Sequence, residues 1–334
     1  MLSLLHPAGF VLLFPSISFV MPFSFYERLS KKPEMFRSFS GLDVAEFDSL
    51  LSRIKLAHDD HEKKRLSRRD RKNKIGAGHP FKLSLEDRLL MLLMYYRSYV
   101  TSILLGFAFS LDQSNVLKDI RMLEPLVKEC IPLPEKLHEM VRRARTIEEV
   151  ERYFPGFRAF VDSTEQEIPR PKDSKKRKTH YSGKKKRHTV KTQLTVNSEG
   201  LIVHRANHVR GRRNDLEIYR ERHPSLPDQV EQDFDRGYDG IKKYFPKMKC
   251  VTPFKRRSTG RGHRGEKAAD LTPKQKRFNR ELSKARVVVE HTISRMKKFN
   301  IFGTEFRNRL RHYDVMTDIV SGLVNLKILG KLNI

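Results

Sequence analysis

Three carboxylates in this 334-residue chain stand where chemistry could use them: Asp162 in "FRAFVDST", Asp235 ahead of "RGYDG", and Glu290 in "SKARVVVEHTISRMKKF". Asp162 and Asp235 each follow a run that reads as a strand and stand where turn-forming residues begin. That places both at strand ends near one edge of a sheet, where open α/β sheets gather their ligands. Singly, each would pass as a turn-forming or helix-capping aspartate. With Glu290 they make three hard oxygen donors without an accompanying cysteine cluster or histidine pair, a set that suits Mg²⁺ or Mn²⁺ and not Zn²⁺. Two such ions can activate a water or hydroxyl and stabilise the leaving oxygen of an in-line phosphoryl displacement.

Glu290 follows Val287, Val288 and Val289 directly. At about 100° per residue, Leu282, Ala285, Val288, Val289, Ile293, Met296 and Phe299 gather on one apolar side of a helix. Arg286, Glu290 and Lys297 fall within about 40° of one another at its rim. Such a row is either a surface ion-pair ladder or a device that aims a carboxylate into a site, and the helix alone does not choose between them.

The elements that must hold these residues follow from periodicity. Helical spacing runs from Ser40 to Leu56, and "DDHEKKRLSRRDRKNK" then closes on "GAGHP" as a charge-dense helix end or linker. In "LSLEDRLLMLLMYYRSY", Ser84 and Asp87 have the spacing of an N-terminal cap before a helix apolar enough to be buried all round. "VTSILLGFAFSLDQSNVLKDIRML" reads as a short helix, a turn over 107–110 and a second helix opened by a Ser110–Gln113 capping box. Two helices joined by a tight turn form a helix-turn-helix, spanning about 84–124 with the preceding helix, or else part of a plain bundle. In the first reading Gln113, Ser114, Asn115, Lys118 and Arg121 line the outward side of the recognition helix.

From Phe157 the period changes. "HTVKTQLTVN" alternates as a half-exposed strand, and "SEG" turns it into "LIVHRANH", so His188 to His208 reads as an antiparallel hairpin. A helix fits "NDLEIYRER", "DQVEQDFD" is a weak strand ending at Asp235, "KCVTPF" is a further strand, "STGRGHRGE" a loop, and Thr272 to Asn300 a long helix. The pattern predicts an α/β layout with one mixed sheet.

The 68 Lys and Arg residues outnumber the 40 Asp and Glu, leaving a net charge of +28, which makes nucleic acid the leading partner. Lys172 to Arg187 alone carries nine Lys or Arg, among them Lys184, Lys185 and Arg187. No uninterrupted apolar run reaches the roughly 18 residues a membrane span needs. Residues 1–25 are set apart as an N-terminal extension: "MLSLLHPAGFVLLFPSISFV" reads as a poor signal peptide, and Met21 offers an alternative start. Cys130 and Cys250 exclude a cysteine zinc cluster and fit a reducing compartment, cytoplasmic in a prokaryote.

"FVDSTE", "YSGKKKRHTVKTQ", "DRGYDG", "LTPKQKRFNRELSKARVVVEHTISRMKKF", "FRNRL" and "LVNLKI" occur in this order. Together they resemble the DDE transposases of the IS5-type and Harbinger-like superfamily endonucleases, over roughly Tyr26 to Leu332. The resemblance implies a helical DNA-binding domain over 26–150 and an RNase H-like catalytic domain over 157–332. It implies Asp162, Asp235 and Glu290 as the metal-binding triad, holding two Mg²⁺ ions for which Mn²⁺ can substitute. Arg286 and Lys297 would belong to the Arg-x3-Glu-x6-Lys signature that contacts DNA near the cleaved phosphate. The expected partner is double-stranded DNA, at terminal inverted repeats and a target site, bound by a homodimer. Two departures stand out: Ser283 occupies a position where the signature often has Tyr, and the strand before Asp235 is polar, which makes Asp233 the alternative ligand. The expected activity is transposition; the alternatives are a domesticated nuclease that only hydrolyses DNA and a catalytically silent DNA-binding protein.

Overall fold

The computed structural model describes residues 24–67, 74, 80–143, 146–153, 157–256 and 270–332. The expectations for the apolar N-terminal stretch and for "STGRGHRGE" lie outside the described residues. The chain begins with helices α1 (Phe25–Ser30), α2 (Pro33–Ser40), α3 (Val44–Leu66), α4 (Leu85–Ser98), α5 (Ser102–Phe109), α6 (Gln113–Cys130), α7 (Pro134–Arg143) and α8 (Ile147–Tyr153). Residues 89–96 of α4 are all buried, as a helix apolar on every side must be. Its first turn is capped as the spacing predicts, the Ser84 hydroxyl accepting the Asp87 amide at 3.2 Å. The Asp87 carboxylate then accepts the amides of Phe25 (3.2 Å) and Tyr26 (2.7 Å), so one aspartate fixes where α1 starts.

The turn between α5 and α6 corrects the expected capping box. Ser110 is the left-handed residue that ends α5, at φ 53°. The N-cap of α6 is Asp112, whose carboxylate accepts the Ser114 amide at 2.8 Å. The cause is the closure of α5: the Leu111 amide returns to the Gly106 carbonyl at 2.8 Å, so α6 can begin only after Leu111. A Cβ on Gly106 would lie 2.6 Å from the Leu111 carbonyl oxygen, and the turn therefore needs glycine there.

The second half contains β1 (Ala159–Glu167), α9 (Ser174–His180), β2 (Tyr181–Ser182), β3 (Arg187–Val196), β4 (Ile202–Arg205), β5 (Val209–Arg210), α10 (Asp215–Arg222), β6 (Gln232–Asp233), α11 (Ile241–Tyr244), β7 (Cys250–Val251), α12 (Pro273–Lys297), α13 (Asn300–Gly303) and α14 (Tyr313–Leu332). The strands form one mixed sheet in the order β2-β3-β1-β6-β7, with β4 and β5 also paired to β3. β1 runs antiparallel to β3 and parallel to β6. The hairpin predicted from His188 to His208 is present.

β3 is not half-exposed, however, because it is buried from Thr189 to Val196. It lies between β1 and the β4–β5 edge, and both of its faces are used. Leu194 lies on the face toward α12 and α14, where the Thr192 and Tyr313 hydroxyls are 3.5 Å apart. Gln193, on the opposite face, reaches the α10 backbone at Asp215.

One hydrophobic cluster runs without interruption from Leu29 through α4 and α6 into β1, β3, α12 and α14. A smaller cluster of Val161, Tyr219, Phe234, Tyr238, Ile241 and Cys250 underlies the β6–β7 end of the sheet. Among the described residues, no helix is long and apolar enough to cross a membrane.

Candidate active site

Asp162 is the fourth residue of β1 and lies opposite Leu194, so it sits within the strand and not at its end as the sequence suggested. The difference comes from the other neighbour. The parallel ladder to β6 stops at Phe160↔Asp233, two residues before Asp162, so β1 continues past the point where β6 turns away. The opening this leaves beside Asp162 is what a strand end would have provided. Its carboxylate accepts the Ser163 amide at 2.8 Å.

From β6 the chain passes through buried Phe234 to Asp235, which caps the 3-10 turn Arg236–Tyr238 and accepts the Arg236 amide. Tyr238, buried beneath that turn, accepts a hydrogen bond from the Gln193 amide at 2.8 Å and lies 3.1 Å from the Ser163 hydroxyl. The turn carrying Asp235 is thereby tied to the strand residue that follows Asp162.

The apolar stripe of α12 packs as its periodicity predicts, with Leu282, Val289, Ile293, Met296 and Phe299 buried. Thr292, on the same face, donates to the Gly200 carbonyl at 3.0 Å and anchors the helix on the hairpin turn. Arg286 is buried, and its guanidinium stands 3.6 Å from the Asp235 carboxylate. Glu290, one turn further, is exposed and has no hydrogen bond or ion pair among the described residues. Arg286 therefore pairs across to the strand end, and the ion-pair ladder along the helix is not formed. Asp235, Arg286 and Glu290 share a cleft of about 340 Å³ with Arg236, Asn279 and Ser283.

Asp162 feels the same surroundings. Burial pushes its carboxyl up to about 6; the Ser163 amide and Arg286 oppose the rise, while Asp235 and Asp215 add to it. Asp233 is different. It is fully buried, with its carboxylate 2.6 Å from the Arg158 guanidinium, so its charge already has a partner away from the cleft. The donor set of Asp162, Asp235 and Glu290 is all oxygen, and the mutual repulsion of the aspartates is a cost that a divalent cation would relieve, so these residues fit Mg²⁺ or Mn²⁺. Among the described residues, no three Asp, Glu, His or Cys side chains are gathered closely enough to hold a metal by themselves.

A second cleft, of about 420 Å³, is lined by Lys184, Lys185 and Lys297 together with Ser163, Glu165 and Asp215. Lys184 and Lys185 lie in the turn between β2 and β3, and burial, with Lys185 adding, lowers the pKa of Lys297. Arg187 is exposed at the start of β3 but does not line this cleft. In the helix-turn-helix, Gln113, Ser114, Asn115, Lys118 and Arg121 are all exposed on α6. The Gln113 amide already donates to the Ser102 hydroxyl at 3.1 Å, which ties it to α5.

Sequence reasoning missed the polar group on the α10 face of the sheet. Lys191 is buried, 3.0 Å from Asp215 and 3.7 Å from Glu165, and it donates to the Arg213 carbonyl at 2.8 Å. The available signal was the polar half of the β3 alternation, Thr189, Lys191, Gln193 and Thr195, which looked like a solvent face.

Two family descriptions match the chain: helix-turn-helix of DDE superfamily endonuclease over residues 81–133, and DDE superfamily endonuclease over residues 161–325. A protein described as "Probable transposase for insertion sequence element IS702", from Microchaete diplosiphon, is 30% identical over 263 residues, covering 78% of this chain and 86% of the relative. No solved structure matches.

Proposed function

Because the chain belongs to the DDE superfamily endonucleases, with their helix-turn-helix ahead of an RNase H-like core, we propose that it is an insertion-sequence transposase. In this reading it binds terminal inverted repeats, cuts the phosphodiester backbone and joins the freed 3′ hydroxyl to target DNA. The observation that supports the reading is that Asp235, Arg286 and Glu290 share one cleft, while Asp162, which does not line it, is close enough for its carboxyl to feel both Asp235 and Arg286. β1 brings Asp162, the turn after β6 brings Asp235, and α12 brings Arg286 and Glu290.

Family membership implies use of a divalent metal, and Asp162, Asp235 and Glu290 are the residues that would hold it. Bound there, Mg²⁺ or Mn²⁺ would activate the attacking oxygen and stabilise the leaving one. The chain's own cations have a separate task. Arg286, reaching from α12 toward Asp235, offsets the acids and orients a phosphate. Lys184, Lys185 and Lys297 hold backbone phosphates in the neighbouring cleft, and Arg187 meets the backbone outside it. On α6, Ser114, Asn115, Lys118 and Arg121 face outward to read DNA, with Gln113 acting from its bond to Ser102. The functional division is 26–150 for reading and 157–332 for cutting, with a homodimer assembled on DNA.

The test is cleavage of a duplex carrying the element's own ends, in Mg²⁺, Mn²⁺ or EDTA. Asp162→Asn, Asp235→Asn and Glu290→Gln should each bind the duplex normally and fail to cut it. A double variant should be little worse than a single one, since ligands of one site act as a unit. Full activity in EDTA, or of Glu290→Gln, refutes the assignment.

A further inference from the structure

At the far end of α12 lies a pocket of about 380 Å³ that the cleavage chemistry does not use. It is lined by Arg37, Arg97, Arg295, Lys298, Lys327 and Lys331, with Glu199 the only acidic lining residue among the described residues. Arg295 is about 140° round the helix from Glu290, so the pocket opens on a different side of α12 from the acids.

Part of this positive charge has an internal explanation. The six cations stand at or near the C-terminal ends of α2, α4, α12 and α14. Arg97 donates to the Ser38 and Lys298 carbonyls, and Lys327 donates to the Gly41 carbonyl at 2.6 Å and lies 3.8 Å from Glu46. Four helix ends at about half a negative charge each absorb roughly two cations. Glu199 and Glu46 absorb one each, which leaves about two of the six cations uncompensated. Burial, with Arg37 adding, lowers the pKa of Arg97, as expected where cations crowd. Arg37, Arg295, Lys298 and Lys331 are exposed, and among the described residues their side chains make no hydrogen bond or ion pair.

We propose that this pocket binds phosphate, supplied by the backbone of DNA that runs past the junction of α2, α4 and α12, away from the acids. Arg37 and Lys298 are the contacts, because both are free of structural work, whereas Arg97 and Lys327 hold helix ends together. A contact of this kind adds affinity and orientation without sequence preference.

The test compares the wild-type protein with Arg37→Gln/Lys298→Gln and with a matched control, Arg53→Gln/Lys64→Gln, which removes two exposed cations of α3. All measurements are made in EDTA, so a protein that never cleaves DNA can still pass. For a mixed-sequence duplex, the slope of log affinity against log salt should be shallower by about two in the pocket variant and by less in the control. Inorganic tripolyphosphate provides the second arm, read as the rise in melting temperature at low salt. If the duplex slopes of the two variants agree while only the pocket variant loses the tripolyphosphate effect, the site is a phosphate site for a free polyphosphate and not for DNA. Equal behaviour of pocket variant and control in both arms overturns the proposal. Unliganded melting temperatures should be the same in all three proteins, which separates the result from misfolding.

Discussion

Replacing Arg88 with methionine isolates a buried ion pair that ties α6 to α4. Arg88 of α4 is 4% exposed, and its Nε lies 2.7 Å from the carboxylate of Asp119 on α6. Its guanidinium also lies over the Phe81 ring, 3.6 Å from the centroid. Methionine keeps most of the apolar stem and removes the charge, leaving Asp119 buried without a counter-ion. Breaking a buried pair in this way costs about 3–5 kcal/mol, a large part of the roughly 5–15 kcal/mol that holds a typical protein folded. For a protein of this size the melting temperature should fall by about 4–7 °C. The loss has a pH signature. Burial raises the Asp119 pKa and Arg88 opposes the rise, so removing Arg88 lets the folded-state pKa climb further above its unfolded value. Stability from such a raised carboxyl is present at low pH and lost as pH rises, so the deficit of the variant should shrink between pH 7 and pH 5. Arg88→Met/Asp119→Leu, which removes both charges, should recover most of the loss. Calorimetric melting across this range, alongside duplex affinity, reads all three effects. A deficit below about 1 kcal/mol, or a double variant worse than the single, would falsify the account.

Four further outcomes follow. Burial, with His138 and Arg205 adding, holds the His204 ring down to about 3; the unfolded chain therefore takes up a proton below about pH 6.5 that the folded one refuses, and stability should decline by about 2 kcal/mol on going to pH 5, an effect His204→Phe should flatten in urea titrations. Although burial alone would raise it, Asp314 is held at about 2 by His208 and Arg205, so its contribution of about 1–2 kcal/mol should be present above pH 4 and fade as pH falls toward 2, measurable as the difference between wild type and Asp314→Asn. Tyr238→Phe leaves the Gln193 amide without its 2.8 Å partner and should slow single-turnover cleavage more than it lowers duplex affinity. Asn115→Ala should relax sequence preference by about 1–3 kcal/mol at one base pair, whereas Lys185→Ala should weaken binding to every duplex alike, as a panel of substituted sites would reveal.

Periodicity in one chain reports which residues share a face, but not what covers that face. The α12 stripe was legible because a helix buried on one side carries its own contrast, and the same contrast exposed Glu290 as an acid at the rim. β3 misled for the opposite reason. Its Lys191 and Gln193 look solvated until Asp215 and Tyr238 arrive from distant segments to pair with them. Asp162 was singled out by its context as a strand-end residue, yet its strand runs five residues further, because the strand's extent is set by β3 while the opening is set by the early departure of β6. Ser110 satisfied a capping rule that Asp112 also satisfied, and only the return of Leu111 to Gly106 decides between them.

The hydrophobic cluster that runs unbroken from α4 and α6 into β1 and α12 makes the molecule a ruler. With no slack between the helix that would read DNA and the acids that would cut it, the number of base pairs from a recognised sequence to the cut phosphate would be a dimension of the protein. Inserting about five base pairs in that interval, half a helical turn, would carry the target phosphate to the opposite side of the duplex. Inserting a full turn would restore its facing but not its distance. An element encoding such a protein can vary the sequence of its ends more freely than their spacing.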